Sequence, residues 1–217
     1  WDVVNEALNE DGSLRDTPWR RILGDDFYVH AFRFAKEADP EAQLYYNDFN
    51  MYKPAKVAGA VKLVKQLGDA GIKVDAVGMQ AHYSLFYPSL SDIEQSMKTL
   101  RNAGVRIAIT ELDISVLPLP DDAFSGADIT QSFAAHPVYD PYVEGLPATQ
   151  QHQLAELYQQ LFALFLKYAD SVDRVTFWGT TDADSWRNNW PIRGRTDHPL
   201  LFDRNGRPKA AYEAITR

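Results

Sequence analysis

Short apolar runs alternate with helix-patterned stretches along most of the chain, and this alternation restricts the fold more than any other feature. Trp1-Asp2-Val3-Val4-Asn5-Glu6 reads as a strand with a polar end. Residues 7–26 read as a loop containing Pro18 and Gly24. A helix follows with Phe27, Ala31, Phe34, Ala35 and Ala38 on one face. Asp25 or Asp26 can cap it, and Asp39-Pro40 ends it. Residues 43–46 form the next strand, and Asn47-Asp48-Phe49-Asn50 is its polar end. Pro54 starts a helix that turns Val57, Val61, Val64 and Leu67 inward, and Gly71 closes it. Residues 74–82 read as a strand. Ser91-Asp92-Ile93-Glu94 is a capping box, with Ile93, Met97 and Leu100 as the stripe of the helix behind it. Gly104 stops that helix, and residues 105–113 run on as a buried strand of β-branched residues. Residues 149–168 form a helix facing inward with Leu154, Leu157, Leu161, Phe165 and Tyr168. Residues 172–178 are the last strand, 180–207 are irregular, and 209–215 close the chain as a short helix.

Strand and helix in alternation predict an α/β fold, a parallel sheet with helices outside. A closed barrel has eight strand–helix units and about 250 residues, whereas this chain has 217 residues and about five units. The rival, a doubly wound open sheet, usually carries a glycine-rich turn after its first strand, and none is present here. The barrel reading therefore expects about three further units, in an uncut chain or in a companion chain. An open remnant of a barrel exposes strand edges. A hydrophobic content of 45% supports one sizeable core, so residues 1–217 read as the C-terminal part of a single barrel domain.

The net charge is −8 with Lys and Arg scattered, which argues against nucleic acid as a partner. No apolar run approaches the ~18 residues of a membrane span, so no membrane partner is expected. Cysteine is absent and offers no disulfide framework. The chain opens on Trp1 with no visible signal peptide. Aromatic residues make up 12%, a content that suits the flat CH faces of carbohydrate. Residues 115–148 are rich in proline and have no clear period. A stretch that long is functional or an insertion.

The chemistry concentrates at strand ends. Glu111 and Asp113 are two residues apart on one strand and so share a face. Carboxylates closing an apolar strand are costly as structure, and they make sense at the C-terminal rim of a barrel, where that fold places its active sites. The first strand ends in Asn5-Glu6, and the third in Gln80 and His82, again two residues apart. The last ends in Trp178, followed by Asp182, Asp184 and Trp186. Each alone has a structural reading: an N-cap, a surface ion pair, a core ring. Convergence on one rim is what points to a site. Two glutamates without a nucleotide or metal-helix motif suggest glycoside hydrolysis with no cofactor. Gln80-x-His82 with Glu111-x-Asp113 could instead be a metal site, but His82 can bridge the two carboxylates, and no metal is expected.

At this point a family resemblance becomes specific. Trp1 to Ala7 (WDVVNEA) resembles the acid/base strand of family 10 glycoside hydrolases, the endo-β-1,4-xylanases. Tyr46-Asn47-Asp48-Phe49-Asn50, Gln80-Ala81-His82, Ile109-Thr110-Glu111-Leu112-Asp113 and Phe177-Trp178-Gly179 match in order. So do Asp182-Ala183-Asp184-Ser185-Trp186 and Pro199-Leu200-Leu201-Phe202-Asp203. The match covers the chain apart from residues 117–148. The resemblance implies a (β/α)8 barrel, with this chain supplying roughly strands 4 to 8, and retaining hydrolysis of internal xylosidic bonds in xylan and xylo-oligosaccharides. It implies Glu6 as general acid/base and Glu111 as nucleophile. Asn5 would bond the sugar 2-hydroxyl, Gln80 would hold Glu6, and His82 would sit against Glu111 with Asp113 behind it. Trp178 would floor the sugar and Trp186 would close over the glycone side. Asn47 joins this supporting set. Phe49 stands where the family often has Tyr near the aglycone sugar, which keeps a stacking face and loses a hydroxyl. A secreted location, extracellular or periplasmic, is expected. A retaining pair stands about 5–5.5 Å apart, and two such carboxylates cannot both ionise cheaply. Glu6 therefore keeps a proton while Glu111 stays charged, with a protonated His82 expected to offset Asp113. The rivals are a related clan β-glycanase of the cellulase type and a catalytically silent xylan-binding fragment.

Overall fold

A computed structural model describes residues 1–120 and 132–216. In chain order the elements are β1 (Asp2–Asn5), α1 (Pro18–Leu23), α2 (Phe27–Ala38), β2 (Tyr45–Asp48), α3 (Pro54–Asp69), β3 (Ala76–Met79) and β4 (His82–Ser84). Then come α4 (Leu90–Asn102), β5 (Arg106–Ser115), α5 (Ala148–Lys167), β6 (Val172–Phe177) and α6 (Ala210–Thr216). Short 3-10 turns lie at Pro137–Tyr139, Asp182–Asp184 and Trp186–Asn188. The expected alternation of strand and helix is present.

Two departures have local causes. Residues 7–26, read as loop, contain helix α1. Its start is written in Thr17-Pro18: the Thr17 hydroxyl accepts from Arg20 N at 3.2 Å, and Pro18 fills the first helical position. The strand read over residues 74–82 is interrupted. β3 stops at Met79, Ala81 takes φ +64°, and β4 resumes at His82. Strand alternation is therefore not what orients Gln80 and His82. Of the long stretch 115–148, residues 121–131 lie outside the described residues.

The contacts divide the chain into two compact units. The first comprises Trp1–Gln80, Ser91–Thr110 and Ala169–Val175; the second comprises Ala81–Leu90, Glu111–Tyr168 and Thr176–Arg217. Strand β5 gives its first five residues to the first unit and its last five to the second.

In the first unit β1, β2, β3 and the start of β5 run parallel, in that order. Parallel strands buried on both faces read as apolar runs, and Tyr45, Tyr46, Val77, Met79, Ile107 and Ile109 fill this role. Helices cover them with Phe32 from α2, Val57, Ala60, Leu63 and Leu67 from α3, and Met97 and Leu100 from α4. The register aligns Asn5 with Asn47 and Asn47 with Gly78. Gly78 is needed there because a Cβ would stand 2.3 Å from Asn47 Oδ1. The missing side chain leaves the Asn47 amide room to lie across the strands.

In the second unit β4 lies parallel to the end of β5, pairing His82 with Asp113 and Ser84 with Ser115. On the other side of β5, Trp178 N donates to Leu112 O at 3.1 Å. Helix α5 buries Leu154, Tyr158, Leu161 and Phe165, and the Tyr158 hydroxyl donates to Pro199 O at 2.6 Å. Among the described residues no helix is long and apolar enough to cross a membrane.

Candidate active site

The end of β1 is shaped to present a carboxylate. Asn5 is the last strand residue, and Glu6 then turns left-handed at φ +56°. A non-glycine residue in that region is strained and persists only where its surroundings hold it. Here Glu6 N donates to Asn47 O at 2.9 Å, and Arg15 Nη1 donates to Glu6 O at 3.2 Å. The side chain is held from two sides: Gln80 Nε2 donates to Oε1 at 3.0 Å, and Arg15 Nη1 lies 3.4 Å from Oε2. Gln80 also reaches Asn5 Oδ1 at 3.3 Å, and its own backbone N donates to Asp48 O. Asn47 is buried, donates to Asn5 Oδ1 at 3.0 Å and accepts from the Thr110 hydroxyl at 2.7 Å. Asn47 therefore positions Asn5 from beneath. Asn5, Glu6, Asn47 and Gln80 are one bonded group.

Phe49 is a correction. The stacking face expected of it is not open: the ring is 4% exposed, and Lys56 Nζ lies 3.5 Å over its centroid. Lys56 is itself buried on α3 and pairs with Asp48 at 2.9 Å and with Glu10 at 3.3 Å. Burial pushes Asp48 up to about 6 against the pull of Lys56, and the Tyr46 hydroxyl donates to the same carboxylate. The polar end of β2 is thus a buried charge network with Phe49 packed on it. A lysine at a helix position between inward-facing apolar residues was the one signal for it.

In the second unit a second bonded group surrounds Glu111. His82 Nε2 lies 3.2 Å from Glu111 Oε2, and His82 Nδ1 lies 3.1 Å from Asp113 Oδ1. The two carboxylates share a face of β5, as strand alternation requires, and one imidazole spans them. Asp113 is fully buried. Trp186 Nε1 donates to its Oδ2 at 2.7 Å, while Arg187 Nε and Nη2 donate to its Oδ1 at 3.1 and 3.0 Å. Burial alone would raise the Asp113 carboxyl, yet Arg187 and His82 hold it below the usual carboxylate range. Burial likewise opposes charge on His82. Asp113 and Glu111 outweigh that and hold the imidazole above its ordinary value.

The rings of this unit differ in their exposure. Trp178 is open, 47% exposed, with its ring 6.4 Å from that of His82. Trp186 stands edge-on to His82 at 4.9 Å and stacks on Trp190 at 4.8 Å. Asp182 and Asp184 take no part. Asp182 is a buried anchor for Lys209 Nζ at 2.9 Å and Leu200 N at 2.8 Å, and Asp184 accepts from Thr181. Sequence reasoning did not find Arg187 or Arg15. Arg187 directly follows the Trp186 of a quoted motif, and only its complete burial marks it. Among the described residues no group of three or more metal-binding side chains is arranged to hold an ion.

The profile of glycosyl hydrolase family 10 matches residues 1–217. The chain belongs to that family. It is 46% identical to endo-1,4-beta-xylanase A of Xylanibacter ruminicola over 217 residues, all of this chain and 58% of that protein. It is 42% identical to endo-1,4-beta-xylanase of Geobacillus stearothermophilus, with 98% of this chain and 60% of that one aligned. Among solved structures, a family 10 endoxylanase retrieved from a sugarcane soil metagenome superimposes with a TM-score of 0.91 at 45% identity, over 99% of this chain and 60% of the other. An intracellular xylanase from Thermoanaerobacterium saccharolyticum, solved as a mutant with xylotriose, gives 0.80 at 32% identity. The family 10 chain thus spans about 60% of the length of these relatives. Its fold class is theirs, the α/β units of a (β/α)8 barrel.

Proposed function

We propose that the intact protein containing this chain is a retaining endo-1,4-β-xylanase, with residues 1–217 as the C-terminal part of one catalytic barrel domain. Glu111 is the nucleophile. It attacks the anomeric carbon while Glu6 gives its proton to the leaving oxygen, and a xylosyl ester forms on Glu111. Glu6, now a carboxylate, takes a proton from water. That water attacks the anomeric carbon, the ester bond breaks, and Glu111 is regenerated. The observation that carries this reading is the shared imidazole. His82 places Nε2 3.2 Å from Glu111 Oε2 and Nδ1 3.1 Å from Asp113 Oδ1, which sets one ring between the two carboxylates and aims it at Glu111. Asn5 bonds the 2-hydroxyl of the reacting sugar in this reading. Trp178 offers that sugar an open ring face, and Trp186 borders the glycone side. Asn47 and Gln80 act through Asn5 and Glu6.

The substrate is xylan or xylo-oligosaccharide, as the relatives' names suggest, and no nucleic acid or membrane partner is needed. The first barrel strands are supplied by the same chain or by a companion chain. The proposed location is secreted, extracellular or periplasmic, although one similar solved protein is described as intracellular. Incubating the intact protein with xylan and with carboxymethylcellulose, and following product anomers by NMR, tests the reading. Reducing sugar from xylan with a retained first anomer supports it. Preference for carboxymethylcellulose gives the cellulase-type alternative, an inverted first product removes double displacement, and binding without cleavage makes it a silent carbohydrate binder.

A further inference from the structure

Arg187 is a fully buried cation that the proposed mechanism does not use. Its guanidinium takes Asp113 Oδ1 through Nε and Nη2, and Nη2 also reaches Tyr83 O at 3.4 Å. It lies 4.9 Å from the ring of Trp186 and 5.5 Å from that of Trp190, which stack on each other. Trp186 in turn donates to the other oxygen of the same carboxylate. A fork of this kind, delocalised and planar, suits both a carboxylate and an aromatic face, and lysine reproduces neither geometry.

Consider the charges along the row. Glu111 and Asp113 are anions with His82 between them, so a protonated His82 is shared by two carboxylates. Alone with Asp113 it would belong mainly to that fully buried partner. Arg187 satisfies Asp113 from the other side and brings the row Glu111–His82–Asp113–Arg187 to neutrality. We infer that Arg187 is a positioning residue of this site: by neutralising Asp113 it frees the charge and the hydrogen bond of His82 for Glu111. This rests on the reading of Glu111 as nucleophile. The other titratable groups facing the row are Tyr87 beside Arg187, Tyr158 toward Asp113, and Asp197 and Arg195 near Arg187. Burial keeps both tyrosines neutral, so neither adds a negative charge to the row.

The test is the titration of His82 in the intact protein, read by NMR from the imidazole signal that H82N lacks, together with the pH profile of xylan cleavage. Removing a neighbouring cation strengthens the grip of Asp113 on the imidazole proton. In R187M the His82 midpoint should therefore move to higher pH, and the acid limb of kcat, where the Glu111 anion is lost, should move with it. Maximal kcat should fall about tenfold while KM changes little. R187K keeps the charge and should hold the midpoint near that of the parent protein. If R187M fails to fold, R187Q, which keeps a planar polar end without charge, serves in its place. An unmoved midpoint in a folded R187M or R187Q overturns the inference, as does an equal displacement in R187K. A merely structural role would lower melting temperature and active fraction without moving either pH readout. The NMR arm needs no substrate. A moved midpoint with an unmoved acid limb therefore counts against Glu111 as the group His82 serves, and leaves the coupling of Arg187 to His82 in place.

Discussion

The surroundings of Glu6 and of Glu111 are built on opposite principles. Glu6 sits on a strained turn, its side chain 25% exposed, with a neutral amide from Gln80 at 3.0 Å and a longer contact to Arg15 at 3.4 Å. Glu111, 12% exposed at its side chain, faces an imidazole that is itself clamped to a buried carboxylate and a buried guanidinium. A group that gives and takes a proton in one cycle needs neighbours that tolerate both of its charge states, and an amide does so. A group that must remain an anion until it attacks benefits from a cation fixed beside it. The contrast is the one that the proposed division of roles requires, and it can be broken at either end.

The largest effects come from removing the carboxylates. Glu111→Ala in the intact protein should abolish cleavage of xylan and of aryl xylosides alike. Glu6→Ala should slow xylan by about 10²–10⁴-fold, the range of a lost general acid. It should nonetheless leave the first step fast for an aryl glycoside whose leaving group needs no proton. A burst of phenol followed by slow turnover, measured by stopped flow, is the expected signature. Equal loss on both substrates would erase the distinction between the two glutamates.

Next comes the cation beside Glu111. Breaking a buried ion pair costs about 3–5 kcal/mol, and His82→Asn should destabilise the protein on that scale, by an amount that varies with pH. The folded imidazole is held above its ordinary value of about 6.5. The unfolded chain therefore releases the His82 proton at lower pH than the folded one. The stability that charged His82 contributes is fully present below about pH 6.5 and fades as pH rises through the folded value. Urea unfolding of the two proteins between pH 5.5 and 9 should show their gap narrowing toward alkaline pH. A constant gap would mean that His82 binds its proton no more tightly folded than unfolded, and a widening gap that it is neutral in the folded protein.

A smaller effect tests how the Glu6 side is aligned. In Gly78→Ala the new Cβ meets Asn47 Oδ1, so the amide that holds Asn5 must shift. Overpacking of this kind costs about 1–3 kcal/mol. Kinetically it should lower kcat through Asn5 and Glu6, with His82 titrating as before. If the His82 titration moves as well, the two groups are not independent supports.

These comparisons also show how far the residues alone could be read. The alternation of strand and helix was legible because barrel strands are apolar throughout and the helices carry one apolar stripe each. Glu111 and Asp113 were legible as partners because a strand has an exact period of two. Gln80 and His82 have the same spacing, but the left-handed Ala81 between them made that reasoning fail. Phe49 was misjudged because the lysine over its ring comes from α3, seven residues further on, and only the turn between β2 and α3 brings the two together. Arg187 escaped for the same reason. A charged residue in an irregular stretch is usually solvated, and only tertiary packing turns it into the counter-ion of Asp113.

The smallest effect is expected at Arg15, and it decides how neutral the Glu6 setting is. Its contact with the Glu6 carboxylate is long, and both side chains are at least a quarter exposed, at 29% and 25%. Exposed pairs of this kind contribute about 0–1 kcal/mol. Its second bond, to the backbone oxygen of Glu6 at 3.2 Å, helps to hold the left-handed turn. Arg15→Ala should then cost about 1 kcal/mol in urea unfolding and lower xylan turnover less than tenfold, without preference between xylan and an aryl glycoside. Arg15→Met, which keeps the length of the side chain, separates packing from charge. If either variant slows the aryl glycoside as strongly as Glu111→Ala, Arg15 is organising more than Glu6. If either speeds xylan cleavage, the guanidinium was biasing Glu6 toward its anion, and its removal lets the proton stay where the first step needs it.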